Sequence, residues 1–463
     1  MDLYKLNPSE KSQETEINSD NDIKFMLETN FNVLCQQFVQ NFKTENIVES
    51  KNNIEEIKNF ARQKDNPILK AFENNNLAYH LIQFLQFDQT PETMTCISYC
   101  LAHEDIISDY FINNQFIKKA AFFMNQVQFL SPTLTALSNI AACSNSNRKC
   151  ILNIIPIENL ISISSQFDDD EIVMKKLSHL LMNLSKAPPV SPILFDFLLK
   201  TEASTTFPDV QMNCLWGLHY SLIQPTNLSK KCAKFIEYLI TEIQIEKREN
   251  FLYIELKLLS DIISNLSLDQ PIPPVIEEFN FNLILPFFSS NYKSLVQVAM
   301  QLFSRIVKIK KGKIIEDNFI QLCKNIITES PFKIKNDIYG IISTLYDGLN
   351  PSDLIYLLYQ GIVELLYDIL DLDQAYLVRD SIKFLTRLVY SCNQFVKRAS
   401  SESDPSIPPS QFLAAQIDNY NIMGKIDEIS DSYSDNLYIM DEVDIFKSAF
   451  QIKILGVHFT NDD

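Results

Sequence analysis

The chain has 463 residues, 46% of them hydrophobic, and its 40 basic against 58 acidic residues leave a net charge of −18. That length exceeds one ordinary core, so two or three globular domains or a repeat array are expected. The acidity points away from nucleic acid and anionic membrane as main partners and suits basic ligands, while 7 Gly with no G-x-G spacing exclude dinucleotide and P-loop fingerprints.

Taken in chain order, residues 1–22, "MDLYKLNPSEKSQETEINSDND", read as a disordered acidic tail and not as a signal peptide. Residues 23–48 begin with "IKFMLETNFNVLCQQFVQNF", an amphipathic pattern that predicts a helix. It would cap the open end of a repeat stack or, alternatively, bind a partner. Residues 49–398 read as repeats one to nine. Residues 399–410, containing "SSESDPSIPPS", read as a Ser/Pro-rich linker. A tenth repeat follows over 411–454 and a short tail over 455–463. No stretch of 18 uncharged apolar residues occurs, so no membrane span is expected. The nine cysteines lack any C-x-x-C pair and fall mostly in apolar helical stretches, as buried free thiols in a reducing, intracellular compartment do.

The repeat is found from one helix. In "TLTALSNIAACSNSNRKC", residues 133–150, Leu134, Leu137, Ile140 and Ala141 form an apolar stripe at helical spacing, and Asn139 lies off it. Similar helices recur with Tyr99, Asn183, Tyr220, Asn265, Arg305, Thr344 and Arg387 in the matching place. The spacings are 40, 44, 37, 45, 40, 39 and 43 residues, the period of armadillo or HEAT repeats. Each unit reads as one or two short helices followed by a longer, anchor-bearing helix. No unit could bury its own apolar faces, so the predicted fold is all-α, a right-handed superhelical solenoid in which stacking makes the core.

Several of these stretches resemble importin-α, the armadillo-repeat receptor for nuclear localisation signals. "IEEIKNFARQKDNPI", "LTALSNIAACS" and "LMNLSKAPPVSP" are similar to segments of its first, third and fourth repeats. "CLWGLHYSL" resembles its fifth, and "NIMGKIDEISDSYSDNLYIMDEVDIFKSAF" its tenth. The likeness is collinear from about residue 50 to 452. The resemblance implies an adaptor without cofactor or enzymatic activity. It would bind basic linear peptides, associate with importin-β and an export receptor, and move between cytoplasm and nucleus. In that family Asn amides pair with an extended peptide backbone. Trp faces one turn away pack lysine stems and attract the ammonium. Carried onto this chain, the peptide-binding set is Asn139, Asn183, Trp216, Tyr220, Asn265, Asp261 and Asp337. A diverged armadillo interaction scaffold without transport activity is the alternative.

The departures are extensive. Four residues before the anchors, where the family has Trp, stand Thr95, Thr135, His179, Trp216, Asp261, Gln301, Gly340 and Lys383. Arg305 and Arg387 occupy anchor positions and would repel a basic peptide. Residues 1–45 hold four Lys, no Arg and eight acids, so the family's basic N-terminal arm is missing. For Asn139 two uses stand open: a peptide backbone, or the backbone of a neighbouring repeat. Cys96, Cys100 and His103 share one helix side and read as packing more than as metal ligands. "KIKKGK" at 308–313 reads as a solvated loop. No Ser, Cys or His constellation of an enzyme is found.

Overall fold

The computed structural model describes residues 10–222, 229–265, 273–310, 318–329, 332–396 and 407–455, and these are helices and their connections, with no strand among them. The chain divides into two compact units, Met1–Thr226 and Asn227–Asp463.

In the first unit, the anchor-bearing helices stack in chain order. Pro91–Cys100, Val127–Cys143, Glu171–Leu184 and Pro208–Leu222 carry Tyr99, Asn139, Asn183 and Tyr220, and each packs on the next. The predicted apolar stripe of the Asn139 helix is its buried face: Leu134, Leu137, Ile140 and Ala141 are fully buried. Ser144 ends that helix in extended conformation and caps the following one by accepting from the Asn147 N–H at 3.1 Å. Asp170 caps the Asn183 helix in the same way, accepting from Val173 N–H at 3.0 Å. Gly217 permits close packing further along. A Cβ there would lie 2.8 Å from Leu198 Cδ1 and 3.4 Å from the Met182 backbone.

The first helix, Glu10–Lys43, packs on Ile47–Ala61 through buried Phe31, Cys35 and Phe38, with Phe31 stacked on Phe60 at 4.5 Å. It starts at Glu10, upstream of the boundary expected at residue 23. The expected tail therefore enters the helix, and only residues 1–9 of it lie outside the described ones.

The second unit repeats the pattern. Glu249–Ser264, Lys293–Lys310, Phe332–Ser343, Ala375–Val396 and Leu437–Lys453 pack each on the next. Phe303 sits among Phe281, Phe288 and Phe319, with ring centroids 5.1 to 6.0 Å away. A helix opens at Pro409, inside the expected linker 399–410, because proline suits a first helical turn. Residues 397–406 and 456–463 lie outside the described ones, as do Lys311 and the rest of the basic run after it. Lys310 departs from the solvated-loop expectation. It is buried, its Nζ donates to the Phe279 carbonyl at 3.1 Å, and it faces the Phe281 ring.

Eight described cysteines are free thiols, six of them buried. Burial pushes Cys35, Cys214 and Cys323 far above the usual thiol range and Cys392 up to about 12.

Candidate functional site

The row of helices in residues 91–222 brings four of the seven expected site residues together: Asn139, Asn183, Trp216 and Tyr220. The two amides are engaged by the protein itself. Asn139 is half-buried and its Nδ2 donates to the Ser98 carbonyl of the preceding row helix at 2.9 Å. Of the two open uses, the structure shows the neighbouring backbone. Asn183 is 2% exposed. Its Nδ2 donates to Ser138 Oγ at 3.1 Å and to the Ser138 carbonyl at 3.3 Å, and its Oδ1 accepts from Lys186 Nζ at 2.8 Å. Both ends of that amide are engaged inside the protein, so Asn183 is not presented to a peptide backbone. The physical reason is spacing. An anchor one repeat on sits directly over the C-terminal half of the previous row helix, where an amide meets a carbonyl.

Other polar side chains join the row in the same way. His103 Nε2 lies 2.7 Å from the Ala61 carbonyl and His179 Nδ1 lies 3.0 Å from Ser138 Oγ. Asn213 Nδ2 donates to Ser178 Oγ at 3.0 Å. His179 keeps exposed surface, yet partial burial of its ring and the charges of Lys176 and Lys186 hold it below the ordinary histidine value.

Trp216 and Tyr220 are both half-buried, with ring centroids 5.9 Å apart and planes at 30°. A lysine does lie on Tyr220, and it is the protein's own. Lys186 Nζ sits 4.7 Å from the Tyr220 ring centroid. Lys186 belongs to "LMNLSKAPPVSP", the stretch similar to the fourth repeat of importin-α. The signal available was its i, i+3 spacing from Asn183, which lets one side chain reach the other's oxygen. Burial and the nearby Arg148 charge push Lys186 below the usual lysine value. Burial also lowers Arg148, which is 8% exposed. Its guanidinium donates to Asn145 Oδ1 at 2.5 Å and to the Ala142 carbonyl at 3.2 Å.

The other three expected residues belong to the second unit. Asp261 Oδ1 pairs with Arg305 NH1 at 3.2 Å, and the same NH1 donates to Ser260 Oγ at 2.7 Å. Arg305, expected as a charge turned against a peptide, instead ties its helix to the preceding one. Asn265 caps the Asp261 helix and is exposed. Asp337 is exposed on the Phe332–Ser343 helix with Lys333 one turn away. Arg387 is exposed. No group of three His, Cys, Asp or Glu able to hold a metal occurs among the described residues.

No family model matches the chain, and no curated protein sequence matches it. Solved structures do. An engineered protein of the Northeast Structural Genomics Consortium matches over 90% of this chain and 99% of its own, with a TM-score of 0.66 and 12% identity. A structure from work on a phosphorylation switch controlling the interaction between cadherin and beta-catenin covers 90% of both chains, with a TM-score of 0.55 and 12% identity. A designed armadillo repeat protein in complex with the peptide (KR)4 covers 49% of this chain and 98% of its own, with a TM-score of 0.41 and 13% identity. The fold is all-α and armadillo-like, and at these identities the likeness carries the fold alone.

Proposed function

We propose that this protein is an armadillo-type interaction scaffold that holds an extended segment of a partner protein along the row of helices in residues 91–222. The observation that carries this is the Trp216–Tyr220 pair: two half-exposed aromatic rings one turn apart, on a row of helices already rigidified by its own hydrogen bonds. Such rings give a peptide large contact area at low entropic cost. The test is selection of peptides from a displayed random library on the full chain, repeated on a Trp216→Ala/Tyr220→Ala variant. Clones enriched by the parent should be lost from the variant. Equal enrichment on both would sink the reading.

The importin-α-like adaptor is the second reading. In it the protein binds basic peptides, importin-β and an export receptor, and works in cytoplasm and nucleus. Its support is the same aromatic pair together with the net charge of −18. The engaged Asn183 amide and the resident Lys186 weigh against it. Pull-down with basic peptides and with importin-β separates the two: capture of both favours the adaptor, capture of neither the scaffold.

A further inference from the structure

Lys186 lies over Tyr220, with the charge of Arg148 acting on it and that of Lys176 acting with it on His179. Among the described residues, no carboxylate comes within ion-pair distance of Lys186, Arg148 or Lys176. The chain carries 58 acids against 40 bases, so this local excess runs against the whole. Charged groups removed from water are normally paired, because an unpaired buried charge is costly. Lys186 is half-buried, and its ammonium has three donors. Its partners within the protein are Asn183 Oδ1 and the Tyr220 face. Arg148 is more than nine-tenths buried, its hydrogen bonds go to neutral oxygens, and its Nε has no hydrogen-bond partner. Asp209 pairs with Lys175, and Asp170 caps its helix.

We propose that Lys186, supported by Arg148 and Lys176, forms an anion subsite next to the Trp216–Tyr220 pair and takes the carboxylate or phosphate of an acidic side chain on an extended peptide. This rests on the reading of the row as a peptide-holding surface and reverses the charge preference that the importin-α resemblance implies. The resident lysine already occupies the Tyr220 face, so this surface repels lysine and attracts anions. The aromatic pair supplies sequence-tolerant contact, and the cations select charge.

Fluorescence anisotropy on the full chain tests it, with three labelled Gly/Ser peptides carrying glutamate, phosphoserine or lysine at every second position. The glutamate and phosphoserine peptides should bind at least about tenfold tighter than the lysine peptide and weaken as salt rises. Lys186→Gln keeps a donor for Asn183 Oδ1 while removing the charge, and should weaken both anionic peptides about fivefold. Lys176→Gln, which removes the second charge acting on His179, should weaken them about twofold and serves if the first variant is misfolded. A phosphoserine peptide much tighter than the glutamate peptide assigns the subsite to phosphate, and equal affinity assigns it to carboxylate. Tighter binding of the lysine peptide, or anionic affinity unchanged in both variants, overturns the subsite while leaving the peptide-holding row intact. Failure of every peptide to bind the parent overturns both.

Discussion

The two units solve one problem, joining each row helix to the next, with different chemistry. In residues 91–222 the joints are mostly neutral: Asn139 to the Ser98 carbonyl, Asn183 to Ser138, His179 to Ser138, Asn213 to Ser178. The ion pair between Lys175 and Asp209 is the exception and is about half exposed on both sides. In the second unit the joints are charged. Arg305 reaches Asp261, and Lys383 lies 3.4 Å from Glu442. Neutral hydrogen bonds can be buried at little cost if both partners are satisfied, whereas ion pairs need to keep some water. Asn183 is accordingly buried and Arg305 remains about one-third exposed. The lesson is that an anchor's position fixes where it reaches, while its chemistry sets how deeply the joint can be buried.

Trp216 is the chain's single tryptophan and lies in the first unit, so its fluorescence reports that unit while far-ultraviolet circular dichroism reports both. The largest effect is expected from Asn183→Ala, which strips partners from Ser138 and Lys186 in a buried place. It should destabilise the first unit by about 2–3 kcal/mol in urea unfolding followed by Trp216. A loss under about 0.5 kcal/mol would mean the neutral joints are not structural. Gly217→Ala should cost the same unit about 1–2 kcal/mol, since its Cβ meets buried Leu198. Arg305→Gln should lower the second unit by about 1 kcal/mol, visible by circular dichroism without moving the Trp216 transition. That loss should shrink as salt is raised, and a salt-independent loss would break the contrast between the units.

The smallest effect concerns pH. His179 titrates lower in the folded state than in the unfolded chain, so between those two values the unfolded chain holds the extra proton. Stability of the first unit should therefore fall as pH drops below about 6.5 and level off under the folded value. His80 is shifted the same way by burial and Lys43, so the parent's acid loss has two contributors. His179→Gln should remove one of them, and an unchanged acid limb would show that His179 stays equally protonated in both states.

The repeats were legible because the information is local. Apolar spacing places a helix, and recurrence of the stripe about every 40 residues requires stacking. The direction of the anchor side chains was not legible. Helical periodicity shows that Asn139 and Asn183 lie beside the apolar stripe, but not whether solvent or the previous helix receives the amide. Their acceptors, Ser98 and Ser138, lie 41 and 45 residues back in the chain. The same holds for Lys186 and Tyr220, whose contact joins neighbouring repeats. Burial of Asn183 depends on how closely its helix approaches the Asn139 helix, a property of three-dimensional packing that no single segment contains.

The buried thiols have a consequence of a different kind. A thiol held far above its usual range has almost no thiolate, and the thiolate is the reactive form. Cys35, Cys96, Cys100 and Cys214 lie in the first unit and Cys323 and Cys392 in the second, all out of reach of solvent. An alkylating reagent can modify each only when the helices around it part. The cysteines thus form a built-in set of clocks, distributed over both units, whose individual rates would register which repeats breathe and which stay shut.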